Sequence, residues 1–193
     1  MKTRFLAIVL SFFALAVHSQ TLTLKTFTED AAKLGLRFVM PSGYHIKETL
    51  SNRDLQYSFA IINSDSTMEV RYSFFPLKPL LKKYALAKKA KKIMINPDSI
   101  YLGLMKANSM SMTNGIIPDV NEVPSEIANG FNADYVGTHS FEFMCEFGKG
   151  YIYGQFLCLH KKSVADVIIT FMSNDIKTHA DLMAIPYYAL TFK

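Results

Sequence analysis

Apolar and polar positions alternate strictly in two stretches near the first third of the chain. Leu55, Tyr57, Phe59 and Ile61 alternate with polar or small neighbours, and Met68, Val70, Tyr72 and Phe74 repeat the pattern after Asn63-Ser64-Asp65-Ser66. A period of two around a polar turn predicts a β-hairpin, which Pro76 ends because proline has no amide to donate. An earlier strand is expected over Leu36–Met40, interrupted by Pro41-Ser42-Gly43 and resumed at Tyr44-His45-Ile46. The period then lengthens. Leu77, Leu80, Leu81 and Tyr84 share one helical face, expected to lie on the sheet. A second helix should open at Asn96-Pro97-Asp98-Ser99, with Asn96 as N-cap, and stop after Met112 at Thr113-Asn114-Gly115. Residues 116–130 read as irregular. Strands are expected over 131–136, 139–147, 151–160 and 164–172, then a last helix over 175–190 in which Pro186 sits awkwardly.

Strands in meander order with helices grouped between and after them predict an α+β domain. Its mostly antiparallel sheet is flanked by helices, an α/β/α sandwich. Residues 20–193 read as that single domain. Residues 1–19 read as a secretory signal peptide: a basic Met1-Lys2-Thr3-Arg4 start, an apolar run from Phe5 to Val17 broken only by Ser11, and Val17-His18-Ser19 at the cleavage point. That run is too short for a transmembrane helix, and no later stretch is long enough, so export to the periplasm or the medium is expected. Hydrophobic residues make up 50% and aromatic residues 13% of the chain, which excludes a disordered polymer. The net charge of +5 falls to +3 without Lys2 and Arg4, too mild to argue for nucleic acid.

The stretch "FGKGYIYGQFLCLHKKSVADVIITF", 147–171, carries His160, Ser163 and Asp166, the side chains of a hydrolytic triad. Lys161-Lys162-Ser163 lies between two apolar runs, however, and reads as a hairpin turn. His160 and Asp166 would then sit near each other on adjacent strands as an exposed contact of little energetic weight. Ser163 has no nucleophile elbow and no framework for an oxyanion hole. His160 and Asp166 are therefore only weak catalytic candidates. A second hairpin centred on Lys149 would put Cys145 opposite Tyr153 and Cys158 opposite Ser140. The sulfurs would be ~15 Å apart, far beyond the ~7 Å Cα separation a disulfide needs, so two free thiols are expected.

His45, His139, His160 and His179 fall in no metal-binding spacing, there is no Cys-x-x-Cys, and no phosphate loop occurs. No metal and no cofactor is therefore expected. Glu122, Glu126 and Asp134 read as surface residues. One segment stands apart, "LKPLLKKYALAKKAKK" at 77–92, with seven lysines (Lys78, Lys82, Lys83, Lys88, Lys89, Lys91 and Lys92) and no acid. Its plain reading is a solvated helix that should end or bend near Ala87; its sharper reading is an anion-binding patch.

The order of elements, with Pro41-Ser42-Gly43-Tyr44 after a strand and "FNADYVGTHSFEF … YIYGQFLCLHKKSVADVIITF" before a closing "YYALTFK", resembles the PsbP-like superfamily. The resemblance implies an antiparallel sheet between helices and a small accessory or binding protein rather than an enzyme, with no specific partner carried over. The expectation is an exported, non-catalytic binding protein of a bacterial envelope, whose partner is an envelope protein or an anionic surface. The alternatives are a secreted hydrolase with scattered site residues and a carrier of an apolar ligand.

Overall fold

The computed structural model describes residues 24–193; the expected signal peptide lies outside them. The chain builds α1 (Leu24–Lys33), β1 (Leu36–Phe38), β2 (Tyr44–Lys47), β3 (Phe59–Asn63), β4 (Met68–Pro76) and α2 (Lys78–Lys89). It continues with α3 (Tyr101–Met112), β5 (Asn121–Glu122), α4 (Ser125–Gly130), β6 (Tyr135–Glu142), β7 (Tyr153–Lys161), β8 (Ala165–Ser173), α5 (Ile176–Ala184) and β9 (Leu190–Phe192). Seven strands form one antiparallel sheet in the order β2-β3-β4-β8-β7-β6-β5, and β1 pairs with β9 as a separate ribbon. The fold is α+β, with helices on both faces of the sheet.

The centre of the sheet is β8, paired along its whole length with β4 and β7. Its sequence, ADVIITFMS, is almost continuously apolar because both faces of a covered central strand leave water. On one face Phe59, Ile61, Val70, Tyr72, Leu157, Ile169 and Phe171 pack with Phe27 and Ala31 of α1, the β1–β9 ribbon, and Leu182 and Met183 of α5. On the other, Phe156, Cys158, Ile168 and Met172 pack with Met105 and Met112 of α3 and with Leu55 and Phe147.

Four expectations change. Segment 131–147 holds one strand, Tyr135–Glu142, not two: Phe131 caps α4 and buries its ring against Tyr187 and Tyr188, and the chain leaves the sheet after Glu142. The last helix stops at Ala184, before Pro186, and the chain turns into β9. Helix α1 was not foreseen: Phe27 and Ala31 are its only buried residues, too sparse a stripe to read. The connection between β6 and β7 is no tight hairpin. Glu142 faces Tyr153 and Gly137 faces Cys158, so the register is shifted by three residues and Cys145 lies in a wide loop. That loop exists because Phe143 lies directly on Gly148 and Gly154, where any Cβ would collide with its ring. Both thiols are free.

Candidate functional site

Period two along β4 and β8 sends Glu69, Arg71, Ser73, Asp166 and Thr170 to the face covered by α3, and His160 of β7 joins them. All six are buried. Buried charge is costly unless paired, and here it is paired in two separate groups.

The first group is His160 and Asp166. The hairpin forms as expected: Lys161 faces Ala165, the Val164 amide donates to the Lys161 carbonyl, and Ser163 takes φ +60° at the tip. Across this hairpin His160 Nδ1 lies 2.6 Å from Asp166 Oδ1. The expected exposure of the pair is wrong. His160 and Asp166 are 5% and 1% exposed, because α3 comes down on the hairpin end and stacks Tyr101 on the imidazole at 4.3 Å. Ser163 takes no part. Its amide and its hydroxyl both donate to Asp98, at 2.6 and 3.1 Å, tying the turn to the segment before α3. Neighbouring Cys158 is no substitute nucleophile: burial, helped by the Asp166 charge, pushes its thiol far up, so it stays protonated. The pair therefore has an orienting carboxylate and an imidazole but no serine or thiolate to activate.

The second group was not legible. Glu69 is completely buried and accepts from Arg71 Nε at 2.6 Å on one oxygen and from Lys47 Nζ at 2.5 Å on the other. The Arg71 guanidinium also donates to the Phe147 carbonyl and packs in the corner formed by the perpendicular rings of Tyr57 and Phe147, 4.7 and 4.5 Å from their centres. Asp54 accepts from the Phe147 amide, so the wide loop is held at both its N–H and its C=O. Next to the Glu69 carboxylate, Tyr151 is half-buried, and burial pushes its phenol well above its usual range. In the sequence Glu69 and Arg71 occupy the polar positions of an alternating strand, which reads as a wet face; only the loop that covers them reveals otherwise.

The lysine segment stays together. Lys78, Lys82, Lys83, Lys88, Lys89, Lys91 and Lys92 are all exposed. Its apolar stripe does not lie on the sheet as expected. Leu77 alone is buried, Leu81 and Tyr84 are half-buried, and Leu80 and Leu86 face out. The helix is anchored at its start, where the Leu77 amide donates to the Val164 carbonyl, and among the described residues none covers its outer side. It also runs past Ala87 to Lys89. The stop is a Schellman arrangement: Lys92 N donates to Ala87 O, Lys91 N to Lys88 O, and Lys91 takes the left-handed φ of +53°. Beyond it Ile93 is fully exposed and Ile95 is 71% exposed.

Among the described residues no group of three His, Cys, Asp or Glu side chains could hold a metal ion. No helix among them is long and apolar enough to cross a membrane. No family model matches the chain, and no curated protein matches it.

Proposed function

We propose that the protein is an exported, non-catalytic binding protein of a bacterial envelope, an accessory module of the PsbP-like kind, that docks on anionic membrane through residues 78–96. The observation that carries this is a single uncovered element holding seven exposed lysines beside the outward-facing Leu80, Leu86, Ile93 and Ile95. Basic and apolar side chains on one exposed element are what interfacial binding requires: lysines for the headgroups, aliphatic chains for the acyl boundary. Each lysine close to an anionic surface contributes about 1 kcal/mol, so several together exceed what solubility needs. A lone buried His–Asp pair without a nucleophile supports this over the hydrolase reading.

Co-sedimentation with vesicles tests it. The chain beginning at Gln20 should bind phosphatidylglycerol-containing vesicles and leave phosphatidylcholine vesicles unbound. Binding should fall steeply as salt rises from low to physiological. Substituting Lys82, Lys83, Lys88 and Lys89 by Gln should weaken binding by two orders of magnitude or more. Substituting Ile93 and Ile95 by Ser should weaken it at every salt concentration. Binding that is absent, or indifferent to salt, rules the reading out, and retention by an acidic envelope protein instead would reassign the element to a protein partner.

A further inference from the structure

The Arg71 group is built beyond what the fold needs of it. An open cavity of about 550 Å³ lies against it, lined by Leu50, Asn52, Arg53, Arg71, Glu146 and Lys149, with Ser51 at the edge. Three cations face this cavity against the single carboxylate of Glu146. A guanidinium has five N–H donors. The described bonds of Arg71 use Nε, toward Glu69, and Nη1, toward the Phe147 carbonyl. Among the described residues no acceptor takes the remaining nitrogen. Asn52 supplies a second unused donor: its Oδ1 accepts the amides of Asp54 and Leu55, while its buried Nδ2 has no partner. Cationic groups thus outnumber carboxylates at the cavity wall.

From this we infer that the cavity binds the carboxylate or phosphate group of a small solute. Arg71 is the central contact, and Arg53 and Lys149 are the charged rim. The fork of an arginine matches two oxygens of either anion. The Tyr57 and Phe147 rings, perpendicular to each other, form a corner against the guanidinium, and Glu69 fixes it at Nε, so little freedom is lost when an anion arrives. The cavity volume lies within the range of small-molecule sites. This site is separate from the lysine element and does not depend on it.

Titration calorimetry of the chain from Gln20 tests the inference with three probes: inorganic phosphate, citrate, and dihexanoyl phosphatidic acid below its micelle concentration. At least one should bind saturably at a single site and raise the Tm. Phosphate binding assigns a free oxyanion, citrate alone a carboxylate, and the lipid alone a headgroup. The double substitution Arg53→Gln and Lys149→Gln should weaken that Kd at least tenfold while the unliganded Tm holds, since Arg53 and Lys149 are exposed. Arg71→Lys should weaken it further, because a point charge replaces the fork. Substituting the lysines of 78–92 should leave it unchanged. Saturable binding by none of the three probes overturns the site, as does binding lost with those lysines but kept in the Arg53/Lys149 variant.

Discussion

The two faces of the sheet are built from the same strands in opposite ways. One face is apolar and aromatic: Phe27 stacks on Phe59 at 4.1 Å and meets Phe38, Tyr72 and Phe74 within 5.6 Å. The other alternates aliphatic side chains with Glu69, Arg71, Asp166 and His160, each ion held by named partners. Burial alone stabilises the first face, and any apolar side chain of the right volume serves there. On the second, burial costs stability until the charges are paired, so pairing as well as volume restricts which side chains fit there. The difference separates a face specified by apolar volume from a face specified by charge pairing.

The largest effect should come from the apolar face. Phe27→Ala removes a fully buried ring that α1 uses to hold the sheet, and should cost about 3–5 kcal/mol in urea unfolding. It should do so equally at pH 5 and pH 8, and without changing anion affinity in whatever protein remains folded. A loss below about 1 kcal/mol would mean that α1 does not close this face.

The charged face should respond differently to one substitution and to two. Glu69→Gln leaves Arg71 buried without its counter-charge and should cost about 3 kcal/mol. Combining Glu69→Leu with Arg71→Met replaces the pair by apolar groups of similar size. That double variant should return to within about 1 kcal/mol of the wild type, because a buried pair gains little net stability over a well-packed apolar one. It should at the same time lose oxyanion binding altogether. A double variant as unstable as the single one would show that Arg71 is structural cement and would erase the contrast between the faces.

How much of this was legible depended on range. The hairpins at 59–74 and 153–173, the helix stop near Met112 and the lysine segment follow from neighbours in sequence, and all appear in the structure. What failed to show involves residues far apart. Arg71 meets Phe147 and Glu69 meets Lys47, and no local pattern distinguishes a polar position facing water from one facing a loop 76 residues away. Gly148-Lys149-Gly150 has the composition of a hairpin turn, but the connection at 143–152 is wide, with Gly148 and Gly154 admitting the Phe143 ring. Of the candidate site, the His160–Asp166 neighbour relation was readable from the hairpin, but its burial under Tyr101 was not.

The smallest effect tests whether the apolar face is free of titration. Its edge carries His179 of α5, 6% exposed, with Nδ1 2.7 Å from Ser173 Oγ and Nε2 without a partner. Burial lowers its pKa below the usual 6.5. The unfolded chain therefore takes up the proton first as pH falls, and linkage requires stability to drop. The contribution of neutral His179 is complete above about pH 6.5 and is lost as pH falls from there through the folded pKa. His179→Gln, which can keep a bond to Ser173, should flatten the decline of Tm between pH 6.5 and pH 5 while costing little at pH 8. Tm profiles that run parallel over that interval would show that burial of His179 does not set the acid sensitivity.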